Sequence, residues 1–531
     1  MLNALQLILT PSLVMRLLFL LLFSTFTSCA HSTNASKKNV LFIIVDDLRP
    51  ALGCYADLLA LTPNIDRLAE KSTLFQRAYA QQALCAPSRN SALTSRRPDT
   101  IHLYDFYSYW RTSVGNFTTI PQYFKEHGYK TYSIGKVFHP GASSNFNDDF
   151  PFSWSNKTYH PSTEKWMNDA VCYDKISQQL QRNLICPVDV NRMPLHSLPD
   201  IQSIGTAKQL LSTFKKTSIP FFIAIGLHKP HIPFRFPSKY LRYHDIDKFK
   251  KNDFIHVPPN LPTVAFNPYN DIRLRDDVRK LNISFPFGPM VKSFAWHIRQ
   301  AYYAAVTYVD DLLGDLLQSV DFSNTIILLT SDHGYSLGEH AEFAKYTNFE
   351  IGVRVPLIIY SPEYQRNATY KVHALAELVD IFPTLVELAT LPTIKSCRKG
   401  YFKQTTCTEG KSLVRYFSAA GMPLNITNYQ FAISQYPRPG IFPTQYPDSD
   451  KPRLKYIKIM GYSLRTIRFR YTIWLEFNPK TFKRNWHKYY GEELYDHSID
   501  PEENLNLVNR HEFDAIKLQL KHLLRSKLEN N

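Results

Sequence analysis

A chain of 531 residues with 44% hydrophobic and 20% charged residues can bury a large core and is not compositionally disordered. Lys and Arg number 62 against 46 Asp and Glu, and the resulting formal charge of +16 points to an anionic partner. No zinc-finger, helix-turn-helix or RNP-like pattern is present, which argues against nucleic acid and leaves sulfated polysaccharide, an anionic membrane surface or a generically basic surface.

The N-terminus reads as a processing segment. Arg16 precedes the apolar run Leu17 to Phe23, and small residues follow through Ser28-Cys29-Ala30, so residues 1–30 are expected to be a secretory signal peptide. An uncleaved signal anchor is the alternative. No later stretch approaches about eighteen consecutive apolar residues, so stable membrane insertion of the mature chain is not expected.

Asn39 to Val45 is a continuous β-branched run, the pattern of a fully buried strand whose carboxylates, Asp46 and Asp47, emerge at its C-terminal end. A helical pattern follows from Asn64 to Lys71. Similar apolar runs recur at Phe221 to Ile225, Thr325 to Thr330 and Pro356 to Tyr360, and a long helical pattern spans Phe294 to Leu317. Strands alternating with helices predict an α/β fold with a large mixed, mostly parallel sheet flanked by helices. Ligand groups in such folds gather beyond the carboxyl ends of the strands, where Asp46, His228 and Asp332 stand. From about Lys411 the pattern changes to isolated strand-like pieces such as Tyr471 to Leu475 and a terminal helix near Phe513 to Leu528. A catalytic domain over 36–410 and an α+β subdomain over 411–531, completing the substrate pocket, are therefore expected.

Six N-x-S/T sequons, at Asn34, Asn116, Asn156, Asn282, Asn367 and Asn425, agree with secretion, to the lysosome or the extracellular space. Of seven cysteines, Cys29 leaves with the signal, and Cys172 with Cys186 and Cys397 with Cys407 bracket two polar loops. Those local pairs are the preferred disulfides, although spacing alone leaves connectivity open. Cys54 reads as a buried inert thiol. Cys85 needs a chemical explanation.

Asp46 and Asp47 form a hard-oxygen pair, and Asp332 with His333 supplies a third carboxylate and an imidazole from another strand end. Buried carboxylates this close repel unless a cation lies between them, which suggests Ca²⁺ or Mg²⁺. The bland alternative is that Asp47 caps a turn and Asp332 closes its strand. In Cys85-Ala86-Pro87-Ser88-Arg89 the proline suits the first turn of a helix, whose N-terminus favours anions, and Arg89 lies one turn beyond the thiol. A Cys-His hydrolase remains open on Cys85 alone.

The pentapeptide resembles the C-x-P-S-R motif of the sulfatases, whose cysteine is oxidised to formylglycine. Gly135 to Gly141, His228-Lys229-Pro230-His231 and Ala344-Lys345-Tyr346 are similar to that family's polar ring. The resemblance implies the alkaline phosphatase/sulfatase-like fold, one Ca²⁺ held by Asp46, Asp47, Cys85, Asp332 and His333, and maturation by the formylglycine-generating enzyme. It also implies that the aldehyde hydrate from Cys85 attacks sulfur while Arg89, Lys136, His139, His228 and Lys345 stabilise the sulfate, with His228 protonating the leaving oxygen. The stretches Val45 to Pro50, Arg97 to Thr100, Leu103 to Phe106, Ser434 to Pro439 and Lys458 to Ser463 resemble the branch that removes the 2-O-sulfate of terminal iduronate from heparan and dermatan sulfate. Asp105, Tyr335, Lys458 and Arg465 are the substrate contacts expected on that basis. Two positions depart from the pattern: Ser95 stands where the family motif has glycine, and Tyr335 where the branch has tryptophan. The rivals are a phosphate-ester hydrolase of the same superfamily and a catalytically silent protein that binds sulfated polysaccharide.

Overall fold

Alternate residues of the strand Asn39–Val45 face two different cores, which is why that run is apolar without a break. In the computed structural model, which describes residues 37–174, 176–250, 256–398, 404–418 and 431–529, the main sheet has seven strands. They are β1 (Asn39–Val45), β2 (Thr73–Tyr79), β3 (Lys130–Gly135), β4 (Phe221–Leu227), β5 (Thr325–Ser331), β6 (Arg354–Tyr360) and β7 (Tyr370–Glu377), in the order β7-β2-β6-β5-β1-β4-β3. All neighbours pair in parallel except β6, which is antiparallel to both β2 and β5. Leu41, Ile43 and Val45 pack in one core with the helices Pro199–Phe214 and Lys292–Leu317. Val40, Phe42 and Ile44 pack in the other, with Phe382 and Leu385 of the helix Ile381–Leu388.

Register then places the chemistry. Val45 pairs with Leu227 on one side and with Ser331 on the other, while Gly135 pairs with Gly226. The ends of β1, β3, β4 and β5 therefore lie abreast and release Asp46, Lys136, His228 and Asp332 at one edge. Gly226 is required there, because a Cβ would meet the Lys136 carbonyl oxygen at 1.9 Å.

The C-terminal strands β8 (Ala432–Arg438), β9 (Ile459–Arg465), β10 (Phe469–Asn478) and β11 (Lys483–Asp496) form an antiparallel sheet in sequence order. Leu520, Leu524 and Leu528 of the helix Asp514–Glu529 pack in that sheet's own core. The sheet also docks on the main body. Ala432, Tyr436, Ile459 and Trp474 belong to the larger core, and Ser434 Oγ donates to the Ala80 carbonyl at 2.6 Å. The described residues from Lys38 onward thus form one compact unit.

Disulfides join Cys172 to Cys186 and Cys397 to Cys407. Cys54 is free and half-buried rather than fully buried, with burial and then Asp66 pushing the thiol's proton affinity up. The sequon residues Asn116, Asn156, Asn282 and Asn367 are exposed, whereas Asn34, Asn425 and the expected signal peptide lie outside the described residues. No helix among the described residues is long and apolar enough to cross a membrane.

Candidate active site

Cys85 opens the helix Cys85–Thr94, which is buried throughout, and the motif residues behind it tie that helix to the strand ends. Ser88 Oγ donates to the Asp332 carbonyl. Arg89 directs Nε to Asp332 Oδ2 at 2.9 Å and Nη2 to Asp46 Oδ1 at 2.8 Å, and Nη1 to the carbonyls of Lys136 and Val137. This corrects one expectation: Arg89 fixes the carboxylates rather than facing an incoming sulfate. The cations beside the Cys85 thiol are Lys345 and Lys136. Lys345 Nζ lies 3.1 Å from Cys85 Sγ and 2.7 Å from Asp47 Oδ1; Lys136 Nζ lies 3.7 Å from Sγ and 2.5 Å from Asp46 Oδ2.

Electrostatics follow from this packing. Burial raises the Asp46 carboxyl, but Lys136, His231, Arg89 and Lys345 together hold it well below the usual carboxylate range. Asp47 goes the other way, pushed up by burial and by Asp46 and Asp332 against the pull of Lys345. Burial pushes the Cys85 thiol up to about 12 despite both lysines. A neutral thiol is a poor nucleophile and a poor metal ligand.

A cation fits the donor set. His333 Nδ1 donates to the Gly334 carbonyl at 3.0 Å, so the Nε2 lone pair faces Asp47 Oδ1 and Asp332 Oδ2, each at 3.5 Å. His333 Nε2 and Asp47 Oδ2 are both buried without a hydrogen-bond partner. Ligand atoms of Asp47, Cys85, Asp332 and His333 all lie within 4.8 Å of one another. An imidazole lone pair aimed between two carboxylates is repelled unless a positive ion sits among them, and mostly oxygen donors suit a hard divalent ion. Without that ion, Asp46, Asp47 and Asp332 balance Arg89, Lys136 and Lys345. With it, the site carries an excess charge of about +2, suited to a sulfate ester and to the charge that develops as the ester bond breaks.

The histidines divide differently from the expectation. His228 is locked away from the thiol, with Nδ1 facing Asp200 Oδ1 at 3.2 Å and Nε2 facing Glu164 Oε1 at 3.4 Å. Asp200 also accepts the backbone N–H groups of His228 and Lys229, at 2.7 and 3.0 Å, and so clamps the segment that carries His231. His231 occupies the place expected for His228: its Nε2 is 4.0 Å from Asp47 Oδ2, and it groups with Asp46 and Cys85. His231 Nδ1 donates to the Ile232 carbonyl at 2.6 Å, leaving Nε2 toward the cluster. His139 also faces it; burial and Lys136 push its ring down to about 3, and its Nδ1 has no hydrogen-bond partner.

Three of the expected substrate contacts are structural instead. Asp105 is buried, with its two oxygens accepting the backbone N–H groups of Tyr107 and Leu454 at 2.9 and 2.7 Å. Tyr335 is fully buried and stacks on Tyr302 at 5.5 Å, so it presents no face to a sugar. Arg465 pairs with Glu350 at 3.0 Å in a buried cluster with Arg470 and His497. Lys458 is exposed. Glu164 and Asp200 were not foreseen; the one available signal was Asp200 in the first turn of a helix, a common place for a carboxylate.

Comparison with known proteins agrees with this geometry. The sulfatase family model matches residues 38–391. This chain belongs to the sulfatase family. It is 48% identical over 516 residues to the human iduronate 2-sulfatase, covering 90% of this chain and 92% of that one. To the mouse iduronate 2-sulfatase it is 46% identical over 540 residues, covering 94% and 97%. Among solved structures, the phosphonate monoester hydrolase of Agrobacterium radiobacter superposes with a TM-score of 0.68 at 20% identity, covering 93% of this chain and 96% of that one, a likeness of fold. Family membership makes the chain a sulfuric ester hydrolase, and formylglycine and a metal ion are general to sulfatases.

Proposed function

We propose that this sulfatase removes the 2-O-sulfate from terminal iduronate of heparan and dermatan sulfate, using formylglycine made from Cys85 and one Ca²⁺. The observation that carries the reading is the identity of 46–48% to iduronate 2-sulfatases over nearly the whole of each chain. Asp46, Asp47, Asp332, His333 and the converted Cys85 would hold the ion. The ion and the formylglycine supply a hard, oriented oxygen nucleophile and compensation for negative charge.

The chain's own groups do the rest. Lys136 and Lys345 hold the sulfate against position 85, and His139 offers its unpartnered ring nitrogen to a sulfate oxygen. His231 is held well down by burial and by Lys345 and Lys136. With Nδ1 engaged by the Ile232 carbonyl and Nε2 turned to the cluster, His231 is the histidine placed to pass a proton to the leaving sugar oxygen. Arg89 keeps Asp46 and Asp332 in place throughout. Secretory targeting, to the lysosome or outside the cell, and conversion by the formylglycine-generating enzyme belong to the same proposal.

The test uses one leaving group in two forms. Sulfate release from a disaccharide with terminal iduronate 2-sulfate is expected to exceed phosphate release from the 2-phosphate analogue by at least about 100-fold in kcat/KM. Equal or faster phosphate release would give the chain to the phosphate-ester reading, and binding without turnover to the silent polysaccharide binder.

A further inference from the structure

A strip of aromatic and basic side chains reaches the surface within a few ring contacts of the Cys85 cluster. It starts at His139, whose ring lies 4.5 Å from that of Phe106. Phe106 meets Tyr107 edge-on at 6.4 Å, and Tyr107 is 54% exposed. The Arg453 guanidinium lies over the Tyr107 ring at 4.3 Å. Two residues on, the Lys455 ammonium lies over Tyr456 at 4.8 Å, and Arg453, Lys455 and Tyr456 are all exposed.

Asp105 is the reason these two loops meet. Its oxygens hold the Tyr107 and Leu454 amides, one from each loop, so the strip is pinned at both ends by a buried carboxylate.

We propose that Tyr107, Arg453 and Lys455 form a second sugar subsite, which takes the internal sulfated residue next to the one in the Cys85 pocket. The inference rests on the proposed action on sulfated polysaccharide and deepens it. A phenol ring offers a flat apolar face to the C–H side of a pyranose, with its hydroxyl free for the ring substituents. A guanidinium held on an aromatic face loses little further freedom on binding and keeps its planar N–H fork for a sulfate or carboxylate. Lys455 adds a second cation along the same strip. The strip makes no contact with Cys85, so it acts on how long substrates bind and not on bond breaking.

The experiment compares the wild type with the double variant Tyr107→Ala/Arg453→Ser on two substrates, a fluorogenic iduronate 2-sulfate monosaccharide and a sulfated tetrasaccharide with the same terminal residue. KM for the tetrasaccharide is expected to rise about tenfold, with kcat unchanged and a weaker dependence on salt. The monosaccharide should be turned over within about twofold of wild type. A parallel fall on both substrates, or no change on either, overturns the subsite. If wild type releases sulfate from neither, the proposed function fails on its own. Calorimetric affinity for the tetrasaccharide then decides the subsite: about tenfold weaker binding by the variant supports it, and equal binding overturns it.

Discussion

His231 and His228 are three residues apart in the sequence and have different surroundings, one beside Asp46, Asp47 and Cys85, the other between Asp200 and Glu164. Replacing His231 with Ala is expected to lower kcat by about 10²–10⁴-fold with little loss of stability, the size of a missing proton donor. His228→Gln should do the reverse. It leaves Asp200 and Glu164 facing each other without a cation, at a cost of about 3 kcal/mol visible as a lower Tm, while kcat stays within about tenfold. If the two variants exchange these phenotypes, the roles drawn from the geometry are wrong. The sequence carried the residue types of this site well: a carboxylate pair, a motif cysteine, two lysines and the imidazoles. It could not tell which histidine turns inward, because the prolines at 230 and 233 set the path of the segment and the clamp at Asp200 comes from a distant helix. Asp105, Tyr335 and Arg465 misled for a related reason. Asp105 lies in a stretch resembling relatives, Arg465 just beyond one and Tyr335 at a departure from them, but whether a side chain meets solvent or a backbone amide is decided by tertiary packing.

Ser95 ends the helix that begins at Cys85, and its backbone is left-handed at φ 52° and ψ 38°, where glycine is the usual residue. The serine here is compensated by its side chain, which donates to the Val379 carbonyl and shares a 2.7 Å hydrogen bond with Thr408 Oγ1. Ser95→Gly relieves strain while losing those bonds, so stability should change by no more than about 1 kcal/mol. Ser95→Ala keeps the strain and loses the bonds, and should destabilise by about 2 kcal/mol. Chemical denaturation of both variants checks the order, and an alanine variant as stable as the glycine one would remove the compensation argument. Among the strands, legibility followed burial. β1, β4, β5 and much of β6 are covered on both faces and read as apolar runs. β2, β3 and β7 form no such run, because they carry Gln76 and Arg77, Lys130, and Lys371 and His373 toward partly or fully exposed positions. The helix Ile381–Leu388 is short and contains Pro383, which hides its period.

On the scale of the whole molecule, a cation in this site would couple folding to function, since the proposed ligands come from the ends of β1 and β5 and from the Cys85 helix. Calcium at about 100 times its dissociation constant should add about 2.7 kcal/mol, raising Tm by a few degrees. A chelator should reverse this, and Asp47→Asn should lose most of it. A Tm indifferent to calcium in the wild type would argue against a bound ion. Acid sensitivity has a separate source. Burial raises the Glu339 carboxyl, but Arg49 and Arg299 outweigh it and bring it down to about 2. A depressed carboxyl contributes stability above its unfolded value of about 4.3, and that contribution fades as pH falls toward the folded value. The Tm deficit of Glu339→Gln should thus be constant from about pH 5 to 7 and shrink progressively below about pH 4. A deficit that grows on acidification would contradict the sign.

The central claim is that Cys85 works as formylglycine and not as a thiol. Mass spectrometry of the peptide containing Cys85, taken from a preparation that releases sulfate, tests it most directly. The account predicts a peptide lighter than the cysteine form by about 18 Da, from sulfur replaced by oxygen with loss of two hydrogens. An active preparation containing only the unmodified thiol would contradict it.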